Sequence, residues 1–312
     1  MSGRAGVVAG DVRALARAIS VVEDDPGGSA GLLRDLFPHT GRAMVIGITG
    51  SPGSGKSSLV DRLVAGFRAQ DRRVGVVAVD PSSAYSGGAI LGDRVRMQGH
   101  AADPGVFIRS MASRGHLGGL SRAASDAVDL MDAAGYDPVI IETVGVGQDE
   151  IEIARAADVV CVVLVPGMGD DIQAIKAGIL EIADIFVINK ADRPGADRVA
   201  ADLDAMMALV PATAAVRPPI FQTIATTGAG VEALRDGLVS FVATAGAERK
   251  AKRRWERAES RFLTVLTDRF VRDVRLTLLP GPRYAEIVTE IAERRLDPYT
   301  AADHVLSGGK DR

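Results

Sequence analysis

The spacing of apolar positions changes period repeatedly along this chain. Residues 44–49 (Met-Val-Ile-Gly-Ile-Thr) form a short apolar run rich in β-branched side chains. Similar runs recur at 74–79, 106–108, 139–141, 159–165, 185–188 and 221–224. Between them the period lengthens. After the first run, Leu59, Val60, Leu63 and Val64 mark one face of a helix. Runs that are apolar on both faces predict strands covered by helices on either side. The predicted fold is therefore α/β, a doubly wound and mostly parallel sheet with right-handed crossovers and ligands beyond the carboxyl ends of its strands.

The flanks carry helical patterns only. Residues 11–37 predict two short amphipathic helices, one with Val12, Leu15, Ala16 and Ile19, the other with Leu32, Leu33 and Leu36, each opened by a possible cap. Past about residue 246 the strands stop. A long helix places Trp255, Phe262, Leu266 and Phe270 on one stripe, and Pro280-Gly281-Pro282 breaks it. A second helix carries Tyr284, Ile287, Val288, Ile291 and Leu296, and Asp297-Pro298 opens a third. The expected organisation is an N-terminal helical segment at 1–40, a nucleotide-binding domain at 41–245 and a C-terminal helical segment at 246–312. The C-terminal stripe has to be covered, and pattern alone leaves open whether the parent domain or a second subunit does so.

Composition narrows the partners. Net charge is −3 over 312 residues, which gives no electrostatic case for nucleic acid or an anionic membrane. The basic run 249–254 is offset by acidic neighbours and reads as solvated helix surface. The longest apolar stretch, 159–165, is too short to span a bilayer. Glu23-Asp24-Asp25 arrives before any secretory hydrophobic segment. The single cysteine, Cys161, lies inside an apolar strand pattern and is expected as a buried thiol, consistent with a cytoplasmic, reducing location.

The chemistry concentrates behind strand ends. Gly50-Ser51-Pro52-Gly53-Ser54-Gly55-Lys56-Ser57, followed by Ser58 and the first helix, is the phosphate-binding pattern G-x-x-x-x-G-K-[ST] in its strand–loop–helix context. Glycines let successive N–H groups turn toward phosphate oxygens, and the helix N-terminus adds partial positive charge. Lys56 supplies a cation to the β- and γ-phosphates, and the Ser57 hydroxyl suits Mg²⁺. After the run 185–188 comes Asn189-Lys190-Ala191-Asp192, the N-K-x-D pattern that reads guanine. The Asp192 carboxylate can accept the ring N–H and the exocyclic amine of guanine, whereas adenine puts an acceptor at the first place and lacks an amine at the second. Such matching discriminates by about 10⁴-fold or more. Asn189 would tie this turn to the phosphate loop, and the Lys190 stem would lie along the base. Ala225-Thr226-Thr227 follows the last strand, where backbone N–H groups can face the guanine oxygen. These residues select GTP over ATP.

Hydrolysis requires Mg²⁺ and an ordered water. Asp80, Asp93 and Glu142 are the candidate carboxylates, since hard cations take oxygen ligands. Gln148 is the candidate for orienting water. Glu142-x-x-Gly145 stands where common regulatory GTPases have D-x-x-G, which leaves direct ligation of the ion by Glu142 open. The glycine-rich segments 86–88, 114–119 and 166–171 are either nucleotide-gated loops or ordinary connectors. His39, His100, His116 and His304 show no metal-ligand spacing.

Taken together these segments resemble one family, the MeaB/ArgK GTPases, to which the human MMAA protein is related. The resemblance rests on 47–57, Val79-Asp80-Pro81-Ser82-Ser83, the stretch 88–97, Ile108-Arg109-Ser110-Met111, 142–148 and Asn189-Lys190-Ala191-Asp192. It implies a GTPase chaperone that gates adenosylcobalamin loading of methylmalonyl-CoA mutase and protects or reactivates it. It also implies a homodimer joined through C-terminal helices, a nucleotide-responsive loop over 166–176, and a Mg²⁺ site involving Asp80, Asp93 and Glu142. Two alternatives stand beside it. A nickel-insertion GTPase would want paired Cys or His ligands, and an ATP-dependent kinase linked to amino-acid transport would want an adenine pocket, which Asp192 opposes.

Overall fold

A computed structural model describes residues 3–25, 27–80, 98–100, 102–112, 122–143, 149–167, 182–208 and 217–307. Two compact units emerge, Met1–Arg253 and Arg254–Arg312.

The first unit is built on a seven-stranded sheet. Its strands are β1 (Val45–Thr49), β2 (Val74–Asp80), β3 (Val106–Ala112), β4 (Val139–Thr143), β5 (Val159–Leu164), β6 (Ile185–Asn189) and β7 (Ile220–Thr223). They lie in the order β3-β2-β4-β1-β5-β6-β7, and every pairing is parallel. This is the doubly wound arrangement expected from the alternation of strand and helix patterns. Register aligns the carboxyl ends: Ile48 pairs with Glu142, Val79 with Thr143, and Asn189 with Thr223. The polar residues that end β1, β2, β4 and β6 therefore share one edge.

Period-two alternation sends side chains to two separate cores. Helix α4 (Lys56–Arg68) and helix α8 (Val231–Thr244) cover one face. There Leu59, Leu63, Phe67, Leu234 and Leu238 pack with Val159, Cys161 and Val163. The other face receives Val160 and Val162. Helices α2 (Val12–Asp24), α5 (Arg122–Ala133), α6 (Asp149–Ala156) and α7 (Ala196–Ala208) contribute to that core through Leu15, Leu130, Ile153 and Leu203. Burial pushes the Cys161 thiol strongly up from its ordinary range, which keeps it protonated.

The N-terminal segment holds three helices where the pattern predicts two. Helix α1 (Gly3–Val8) precedes α2, and α3 (Ala30–Leu36) follows it. One turn and a half offers too few apolar positions to show a period, yet Val7 is fully buried. Asp11 caps α2, its carboxylate accepting from Ala14 N at 2.6 Å. Strand β3 runs on to Ala112, past the apolar stretch 106–108. It is an edge strand, so it tolerates polar side chains: Arg109 pairs with Glu23 and donates to Ser20 Oγ, fastening α2 to the sheet margin.

The second unit comprises most of α9 (Ala247–Thr277), with α10 (Gly281–Ala292) and α11 (Pro298–Leu306). The break at Pro280 and the cap at Asp297 fall where the sequence places them, and Asp297 accepts from Tyr299 N and Thr300 N. Within this unit Arg275 stacks over Tyr284. Trp255, Phe262 and Phe270 are all more than half exposed. Among the described residues no helix is long and apolar enough to cross a membrane.

Candidate functional site

The turn 50–55 leaves β1 and feeds α4. Gly50 (φ 136°) and Gly55 (φ 88°) occupy backbone conformations closed to most side chains. A Cβ on Gly55 would stand 2.5 Å from Asn189 Nδ2, so a contact from a distant strand reinforces the need for glycine. Lys56 opens α4 and is almost fully buried. Its ammonium donates to Gly50 O at 2.5 Å and Ser51 O at 2.9 Å, which aims it back over the turn. Ser57 donates to Glu142 Oε1 at 2.6 Å across the gap between α4 and β4. Behind them, Thr143 donates to Thr49 at 3.1 Å, tying the ends of β4 and β1 together.

A second cluster joins this turn to the far side of the sheet. Asn189 ends β6 and is 1% exposed. Its amide donates to Ser54 O at 2.9 Å, while its oxygen accepts from Ala225 N at 3.1 Å and Thr223 Oγ1 at 3.2 Å. One side chain thus holds both the phosphate-type loop and the turn after β7. Lys190 (φ 56°) places its ammonium 2.8 Å from Gly53 O. Asp192 lies exposed in the turn beyond it, and Thr226 and Thr227 are exposed in the neighbouring turn after β7. Arg62, from the exposed face of α4, donates to Ala225 O at 3.0 Å and Thr226 O at 2.8 Å.

Lys56, Ser57 and Glu142 are thus brought together, with the Gly50 and Ser51 carbonyls on the Lys56 ammonium, that of Gly53 on Lys190, and Ser54 and Gly55 against the Asn189 amide. Pro52 and Ser58 face solvent beside them. The backbone of Asp80 ends β2 beside β4, but its side chain lies outside the described atoms. Asp93, Gln148, His116 and the segments 86–88, 114–119 and 168–171 lie outside the described residues. Sequence reasoning missed Arg62, Thr49, Thr143 and Thr223. The three threonines carry a faint signal, each being a polar residue within two positions of the end of an apolar run. Arg62 carries none, because no motif fixes a residue five positions beyond Ser57.

A parallel sheet with a glycine-rich loop after its central strand, and Asn-Lys-x-Asp at the end of β6, two strands away, defines a P-loop GTPase. A family model described as "Methylmalonyl Co-A mutase-associated GTPase MeaB" matches residues 15–277. The chain belongs to that family and is a GTPase. A Pyrococcus horikoshii chain named as a GTPase is 46% identical over 303 residues, 95% of this chain and 94% of that one. The methylmalonic aciduria type A homolog of Caenorhabditis elegans, a mitochondrial protein, is 44% identical over 163 residues, 51% of this chain and 41% of its own length. Among solved structures, one titled LAO/AO transport system kinase superposes with a TM-score of 0.69 at 25% identity, covering 98% of this chain and 95% of its own.

Proposed function

We propose that the chain binds GTP in the cleft between the 50–57 turn and the turns after β6 and β7, hydrolyses it with Mg²⁺, and acts as a chaperone of an adenosylcobalamin-dependent methylmalonyl-CoA mutase. The observation that carries the site is the Asn189 bridge, one buried amide holding the proposed phosphate and base segments in fixed relation. In this reading the N–H groups of 50–58 cradle the phosphates, and Lys56 neutralises charge that spreads over the γ-phosphoryl group. Asp192 accepts from the guanine ring N–H and amine, with Lys190 along the base and Ala225-Thr226-Thr227 facing the guanine oxygen. Ser57 and Glu142 present hard oxygen donors side by side, which fits Mg²⁺. Together with Asp80 and Asp93 they would hold the ion, which would supply neutralisation of phosphate charge. Gln148 would orient the attacking water.

The mutase assignment draws on the family's description and on the nematode relative's name. The organisation 1–40, 41–245 and 246–312 belongs to the same reading, with the last segment pairing two copies through the stripe of Trp255, Phe262 and Phe270.

Turnover of GTP against ATP tests the nucleotide assignment, and GTP should be strongly preferred. In Asp192→Asn, GTP affinity should fall while xanthosine triphosphate is tolerated better, because an amide can donate to the extra oxygen. Unchanged GTP affinity would discard the role of Asp192. Co-purification with a cobalamin-dependent mutase, compared with and without a non-hydrolysable GTP analogue, tests the partner. Failure to bind the mutase in either state would remove it.

A further inference from the structure

We propose that Arg62 is a specificity-positioning residue, which aims the Thr226 amide at the six-position oxygen of guanine. The inference rests on the nucleotide site proposed above and deepens it.

Arg62 makes two directed bonds, Nε to Ala225 O and Nη2 to Thr226 O, at 3.0 and 2.8 Å. A trans peptide points its carbonyl and its N–H in opposite directions. Drawing the Ala225 carbonyl toward α4 therefore turns the Thr226 N–H away from α4. The three amides around it are already committed. Ala225 N donates to Asn189 Oδ1, while Thr227 N and Gly228 N donate to Ile224 O. Thr226 N has no partner among the described residues, and Thr226 is exposed. One amide in this turn is thus left available, and the Arg62 guanidinium fixes its direction. The planar fork does this with little loss of freedom because its donors are already oriented.

The placement also has a chemical consequence. α4 begins at Lys56 and Ser57, so the helix that carries the proposed phosphate contacts also sets the angle of the proposed base contact. Arg62 stands on the exposed face of that helix, so replacing it leaves the core of Leu59, Leu63 and Phe67 intact.

The test compares GDP with 6-thio-GDP. The analogue keeps the ring N–H and the amine that Asp192 would read, but carries sulfur, a weak acceptor, at the six position. The parent protein should bind GDP about three- to tenfold more tightly than 6-thio-GDP, the range of one net hydrogen bond. In Arg62→Ala this ratio should fall toward one, with GDP weakened and 6-thio-GDP nearly unchanged. Arg62→Lys, which keeps charge and stem but not the fork, should give an intermediate ratio, and the maximal turnover at saturating GTP should change little in both. An unchanged ratio in Arg62→Ala, or equal weakening of both nucleotides, would overturn the role of Arg62. A parent protein that binds both equally would remove the contact to the six-position oxygen and with it the role of Arg62, whereas one that binds neither would overturn the base site itself.

Discussion

Replacing Asn189 should test whether the site is held together as one body. Three hydrogen bonds converge on its side chain, and the partners are themselves buried: Ser54 and Thr223 almost completely, Ala225 to 5% exposure. Asn189→Ala would strand the Ser54 carbonyl and the Ala225 amide, while the Thr223 hydroxyl could rotate. Leaving a buried group unsatisfied costs about 1–3 kcal/mol. Two stranded groups, partly rescued by water entering the space, give a loss of about 3 kcal/mol. For a unit of this size each kcal/mol lowers the melting temperature by about 2–4 °C, so the shift should be about 6–12 °C. Asn189→Asp keeps both accepted bonds and sets a carboxylate oxygen against Ser54 O in place of a donor. It should therefore also be destabilised, and GDP affinity should fall in both variants. The assay is thermal unfolding followed by circular dichroism, alongside nucleotide titration. A melting temperature within about 2 °C of the parent for Asn189→Ala would refute the idea that this side chain braces the site.

Other expectations follow from the same geometry. Lys56→Ala should cripple single-turnover hydrolysis even where GTP still binds, because the cation that meets the γ-phosphoryl charge is gone; near-normal rates would contradict that role. Burial raises the Cys161 thiol, so its contribution to stability is fully present below the unfolded thiol's range near pH 8.5. That contribution declines at higher pH, because the unfolded chain releases the proton and the folded one does not. Thiol alkylation should accordingly track unfolding, and Cys161→Ala should flatten the loss of stability between about pH 8.5 and 10.5. Phe262 is 65% exposed on α9, and if two copies cover this stripe, Phe262→Glu should convert a sedimenting dimer to monomer. A parent protein that sediments as monomer would dismiss the pairing.

The sheet was legible because its strands are buried on both faces, and burial on both faces writes continuous apolar runs. β5 shows this plainly, with Val159, Cys161 and Val163 in one core and Val160 and Val162 in the other. The C-terminal helices were legible through their breakers, Pro280 and Asp297. Legibility failed where tertiary partners outweigh pattern. α1 is held mainly by Val7, one apolar side chain in a segment too short for periodicity. The continuation of β3 contains Arg109, whose charge interrupts an apolar run but finds Glu23 and Ser20 on α2.

The candidate site divides along the same line. Residues whose position is fixed by backbone shape announce themselves, since a loop that must curl with positive φ at Gly50 and Gly55 admits few sequences. Asn189 and Asp192 are legible for a related reason, because both ride on a strand end whose spacing the sheet dictates. Arg62 is different in kind. It reaches across 163 positions to Ala225 O and 164 to Thr226 O through a long flexible stem, and it meets carbonyl oxygens that every residue possesses. Neither end of that contact constrains residue type strongly enough to leave a spacing rule. Side chains that orient backbone groups are thus the part of a nucleotide site that motif reading passes over, and here such a residue could set selectivity. Asn189 and Arg62 grip the same turn, one through the Ala225 amide and the other through the Ala225 and Thr226 carbonyls. Losing either should loosen that turn. Of the two, Asn189 also bonds the 50–55 loop, through Ser54 O, so its loss should loosen that loop as well.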